Sequence, residues 1–105
     1  MELGLYDLIL AILQTGDKQR LARLQESQGR PLMGSLLVAV GGSPGPGVFR
    51  GTELVSYLEE YDWDRRVVTI RSYKPGRWIG KQGCRIRPLR AMLKEAGWDI
   101  HILPL

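Results

Sequence analysis

The sequence predicts an α/β (α+β) fold, a three-stranded sheet with helices packed on it. Three observations point there. Compact apolar or β-branched runs recur at Ser35–Val40 (SLLVAV), Arg66–Ser72 (RVVTIRS) and Trp98–Leu103 (WDIHIL). Between and before them, apolar residues fall at helical spacing, most plainly Ile86, Leu89, Leu93 and Ala96. At 105 residues, 44% hydrophobic and 25% charged, the chain is long enough to close one core without disulfides or metal.

The elements follow in order. Leu3 to Gln14 reads as a short helix that is apolar around most of its circumference, and Gly16 and Asp17 read as its C-cap and the next N-cap. Lys18 to Gln28 is a more polar helix facing inward through Leu21, Ala22 and Leu24. Gly29 and Pro31 stop it. Ser35–Val40 suits a buried strand. The Gly/Pro-rich stretch Gly41–Gly51 is a loop. Thr52 is expected to cap a helix reaching about Tyr61, with Leu54, Val55 and Leu58 inward; a strand–helix–strand path of this kind favours a parallel crossover. Arg66–Ser72 is a strand, with Val68 and Ile70 on one face. Tyr73–Ile79 begins with a Lys-Pro-Gly turn and closes as a short helix. A longer helix runs from the Gly80-Lys81-Gln82-Gly83 turn to Ala96, with Pro88 tolerated in its first turn. Gly97 ends it, and the last strand pairs Ile100 and Ile102 on one face, leaving His101 on the other.

Charge is unevenly placed. Residues 1–60 carry five Lys/Arg against seven Asp/Glu, and residues 61–105 carry ten against four. From Arg71 to Arg90 there are seven basic residues and no acid. A polyanion is therefore expected on the C-terminal part. The single cysteine, Cys84, excludes an intramolecular disulfide and a cysteine-based zinc site, and is compatible with a reducing compartment. One histidine, one cysteine and no clustered carboxylates supply no catalytic set, so the expectation is a non-enzymatic protein without metal or cofactor. The N-terminal apolar run, Leu8–Leu13, lacks the features of a signal peptide and is too short to span a bilayer, which makes a cytoplasmic location the expectation.

The segment from residue 66 to 103 thus reads strand, short helix, Gly-x-x-Gly, longer helix, strand. That order, with Ile79-Gly80-Lys81-Gln82-Gly83 followed by Cys84-Arg85-Ile86-Arg87-Pro88-Leu89, resembles the KH domain, a nucleic-acid-binding module. The segment Glu95–Leu103 (EAGWDIHIL) is also similar to the end of the KH modules of NusA, a bacterial transcription factor. With its extra elements ahead of the β-α-α-β unit, the chain looks like the second, largely prokaryotic KH arrangement. On that resemblance, residues 1–105 form a single KH-like domain. Residues 1–30 are an N-terminal helical pair, residues 34–61 hold an extension strand, loop and helix, and residues 66–103 are the KH core.

The resemblance implies binding of single-stranded RNA, with single-stranded DNA as a further ligand, in a groove where the Gly-x-x-Gly backbone clamps about four nucleotides. Gly80 and Gly83 would let phosphates approach closely. Lys81 and Gln82 would sit at the tip, and Ile79 and Ile86 would form an apolar floor. Arg85 and Arg87 would reach backbone or bases, with Arg77 and Lys74 adding charge; Arg90, a turn further on, ranks below them. Trp78 would be core or groove wall, and Cys84 a small residue beside the nucleic-acid path. Transcription, ribosome assembly and RNA turnover are the implied settings. The alternative is a protein-interaction module whose leucine-rich N-terminal helices dock a partner or a second copy.

Overall fold

The computed structural model describes residues 4–28, 32–40 and 57–105. The chain opens with helices α1 (Leu5–Thr15), α2 (Lys18–Gln28) and α3 (Leu32–Val40). A hairpin of β1 (Tyr57–Asp62) and β2 (Val67–Ser72) follows. Then come the short helix α4 (Pro75–Ile79), a 3-10 turn at Lys81–Gly83, helix α5 (Ile86–Glu95) and strand β3 (Asp99–Pro104). The sheet order is β1-β2-β3, with β1 antiparallel and β3 parallel to β2. The fold is α+β, with helices packed on a three-stranded mixed sheet.

Local chemistry sets the boundaries. Gly16 ends α1 in the left-handed region, φ 78°, and its N–H donates to the Ile12 carbonyl at 2.9 Å. The Asp17 carboxylate then accepts the Arg20 amide at 3.1 Å and caps α2. At the far end, Gly97 (φ 81°) closes α5 with a paired return: Gly97 N–H to the Lys94 carbonyl and Trp98 N–H to that of Leu93, both 2.9 Å. Pro88 is the third residue of α5, where the missing N–H has no intrahelical acceptor to lose.

Two sequence expectations are corrected. Ser35–Val40 is not a strand but part of helix α3. A short apolar run has no period that separates the two states. Here Leu32, Met33, Leu36 and Leu37 are all buried, a helical stripe that begins before the run itself. The expected helix from Thr52 to Tyr61 is replaced over its described part by strand β1. Tyr57, Glu59 and Tyr61 point inward in alternation with Leu58, Glu60 and Asp62, and Leu58, expected inside, is 53% exposed. The parallel crossover gives way to an antiparallel hairpin, whose turn is held by Asp62 Oδ1 accepting the amides of Asp64 and Arg65. The loop at Gly41–Gly51 and residues 52–56 lie outside the described residues.

The core forms between one face of the sheet and the helices. Val68, Ile70 and Ile100 meet Ile9, Ile12 and Leu13 of α1, the α3 stripe, and Leu89 and Leu93 of α5. The other sheet face carries the exposed Leu58, Glu60, His101 and Leu103. Buried Trp98 donates its indole N–H to the Leu13 carbonyl at 2.9 Å, which fastens α1 to the start of β3. Residues of the N-terminal helices are therefore part of the domain's core.

Glu59 organises the junction between β1 and α3. Its Oε1 accepts the Met33 amide (2.7 Å) and the Tyr57 hydroxyl (3.1 Å). Its Oε2 accepts the Leu32 amide (3.1 Å), the Gln25 side-chain amide (3.1 Å) and the Tyr61 hydroxyl (2.8 Å). A strand carboxylate thus caps the first turn of α3, where helix amides lack partners and the dipole favours an anion. The Gly34 amide donates to the Tyr57 hydroxyl at 2.8 Å and extends the network.

Burial, then the charge and hydrogen bond of Glu59, then Tyr57, hold the Tyr61 phenol well above its ordinary range. The sign follows: unfolded chains lose this proton near pH 10 while the folded protein keeps it. The contribution of the protonated phenol is therefore fully present and independent of pH below that value, and it is lost as pH rises above it toward the folded-state pKa. Urea unfolding between about pH 9 and about pH 12 should show stability falling by up to about 1.4 kcal/mol per pH unit from this group. Tyr61→Phe should flatten that part of the slope, and an identical slope in the variant would contradict the assignment.

Candidate functional site

The Gly80–Gly83 turn joins α4 to α5, and its backbone cannot be made by ordinary residues. Gly80 has φ 76°, ψ 170°, a conformation essentially restricted to glycine. A Cβ there would also lie 2.8 Å from Arg85 Cγ, 2.9 Å from Cys84 Sγ and 3.0 Å from the Arg85 nitrogen. Gly83 has φ 79°, and Arg87 Nε would be 3.3 Å from its Cβ. The space freed by both glycines is thus filled by the chain's own side chains, a closer packing of the turn than the expected gap for phosphates.

The turn directs its amides unequally. Gly80 N–H donates to Gly76 (2.9 Å), Gly83 N–H to Gly80 (3.1 Å), Cys84 N–H to Lys81 (3.1 Å) and Arg85 N–H to Ile79 (3.1 Å). The amides of Lys81 and Gln82 make no such bond among the described residues. Gln82 itself sits at φ 57°, ψ 25°. Both side chains at the tip are exposed. Two unpaired N–H groups therefore lie beside the first turn of α5, whose own amides have no intrahelical acceptors.

Next to the turn lies an open cleft of about 380 Å³, lined by Ile79, Gln82, Gly83, Ile86, Arg87, Arg90 and Ile102. That volume is at the small end for ligand sites. Ile79, 39% exposed, Ile86 and Ile102 supply apolar surface, and Arg87 and Arg90 supply charge. Strand β3 is a sheet edge, and its odd-numbered residues bond to β2, as the amides of Asp99 and Leu105 show. The N–H and C=O of Ile102 consequently face away from the sheet.

The structure brings together only part of the predicted set. Ile79, Gln82, Gly83, Ile86 and Arg87 line the cleft, and exposed Lys81 stands at the tip beside it. Trp78, expected as core or groove wall, is core: it is 1% exposed, packs edge-on to Tyr57 at 4.7 Å and does not line the cleft. Arg85 does not line the cleft; its guanidinium donates to the Arg77 carbonyl at 3.4 Å. Lys74, Arg77 and exposed Cys84 also lie outside the lining. The Lys74 amide donates to the Ser72 hydroxyl at 3.1 Å and leads the chain into α4.

Two lining residues stand outside the expected contact set: Ile102, and Arg90, which the sequence reading ranks below the other cations. Arg90 lies a turn beyond its neighbours, yet spacing reveals it. It stands three residues after Arg87 and four after Ile86, hence on the same side of α5. Ile102 needs the parallel register of β3, which no local pattern gives. Among the described residues no cluster of His, Cys, Asp and Glu is suited to a metal ion, and no helix is long and apolar enough to cross a membrane. Comparison with protein-family models, with curated proteins and with solved structures gave no match.

Proposed function

We infer that this protein binds single-stranded RNA, without catalysis, by placing the sugar-phosphate backbone against the Gly80–Gly83 turn and bases in the adjoining cleft. The observation that carries the reading is the pair of unpaired amides at two exposed residues, Lys81 and Gln82, of which Gln82 lines a cleft with apolar floor and cationic rim. Phosphates accept hydrogen bonds from backbone N–H groups at such a turn and helix start, while base faces favour apolar surface. The succession β2, α4, turn, α5, β3, with β2 and β3 parallel neighbours, supports the KH-like reading of residues 66–103. A cytoplasmic RNA, in transcription or RNA metabolism, is the partner this reading implies. The rival reading, a leucine-rich docking helix, is weaker because Ile9, Ile12 and Leu13 are spent on the core.

Titration of the ¹⁵N-labelled protein with a short single-stranded RNA tests the reading. The amide signals of Lys81, Gln82, Gly83 and Ile102 should shift most. Affinity should fall by about 0.7 log units per phosphate contacted for each tenfold rise in salt, or about 2.8 for a four-nucleotide clamp. Shifts confined to the opposite sheet face, around Leu58 and Leu103, would overturn it.

A further inference from the structure

Arg90, on the cleft wall, is ion-paired with Asp99, which lies outside the lining, and the geometry of the pair says more than its charge. Asp99 Oδ1 lies 3.3 Å from Arg90 Nε, and the Ile100 carbonyl accepts from Arg90 Nη2 at 3.1 Å. Nε–H and the neighbouring Nη2–H form one edge of the planar guanidinium, so the ion-pair contact and the hydrogen bond to Ile100 fall on the same edge. The end of the group, Nη1–H beside the second Nη2–H, has no acceptor among the described residues. Arg90 lines the cleft, and this end is the fork it has left to offer.

Two coplanar donors match two adjacent coplanar acceptors. Guanine presents such a pair as O6 and N7, and cytosine as O2 and N3. Adenine sets its amino group beside N1 and N7, and uracil sets N3–H between its carbonyls, so each puts a donor against the fork. A phosphate also offers two acceptors, but the surface beside Arg90 is that of Ile86 and Ile102, which suits the face of a base. Asp99 completes the logic. Its Oδ1 also accepts the Ile100 amide at 2.8 Å and its Oδ2 lies 4.0 Å from His101 Nε2, so a carboxylate anchored to β3 stands with the Ile100 carbonyl along one edge of the Arg90 guanidinium.

Building on the RNA-binding reading above, we propose that the cleft selects a base with two adjacent acceptors, guanine or cytosine, through Arg90. Asp99 is the positioning residue.

Fluorescence anisotropy with four labelled RNA octanucleotides tests this: all uridine, or uridine with one central guanine, cytosine or adenine. The guanine or the cytosine strand should bind about tenfold tighter than the uridine and adenine strands. Arg90→Lys retains the charge without the fork and should abolish that preference. Asp99→Ala should raise affinity for the all-uridine strand while cutting the preference, a split that a merely structural role does not produce. Equal, measurable binding of all four strands overturns this inference and leaves RNA binding standing. Absence of binding to every strand overturns both. A preference that survives in a folded Arg90→Lys protein also overturns it.

Discussion

Glu59→Ala should lower the stability of this protein by about 3 kcal/mol, a large share of the roughly 5–15 kcal/mol typical of a domain. The substitution removes the acceptor of five hydrogen bonds: two from first-turn amides of α3, two from tyrosine hydroxyls and one from Gln25. Bonds to a charged acceptor contribute about 1.5–3 kcal/mol each when removed singly, and loss of a helix cap costs about 0.5–2. The five share one carboxylate and do not add. Glu59→Gln keeps the shape but turns an amino group toward donors, so about half the loss is expected. Urea unfolding measures both, and a loss under about 1 kcal/mol in Glu59→Ala would show that α3 does not depend on this cap.

The same residue explains where sequence reading stopped. The helix at Lys18–Gln28 and the cap at Gly97 were legible because each is fixed within a few residues of itself, and the central strand near Arg66–Ser72 because its β-branched run suits pairing on both sides. Helix α3 was not. Its cap comes from Glu59, 26 and 27 residues away from the amides it accepts. Strand β1 failed for a related reason: Leu54, Val55 and Leu58 allow a helical spacing, and only pairing with Val67–Ser72 decides for a strand. β-structure is settled by partners rather than by local preference.

The candidate site divides in the same way. The turn was legible from its glycines, and Ile79, Gln82, Ile86 and Arg87 from their places around it. Which cations face the cleft was not, because that depends on acceptors outside the motif. The Arg77 carbonyl draws Arg85 back, whereas Asp99 and Ile100 hold Arg90 beside the cleft. Trp78, adjacent in sequence to the exposed Ile79, turns into the core.

The most direct test is the double substitution Lys81→Asp with Gln82→Asp. It changes the charge of the turn by three units at the two exposed tip residues, whose amides are proposed to meet phosphate. At about 1 kcal/mol per unit charge near contact distance in water, affinity for a short single-stranded RNA should drop about 100-fold. The fold should be unaffected: both side chains are exposed, and aspartate accepts the left-handed backbone found at Gln82. Anisotropy with the labelled RNA, beside a circular dichroism spectrum of each protein, reads both quantities. Collapse of binding with an unchanged spectrum is the predicted result, and equal affinity in the two proteins would contradict it.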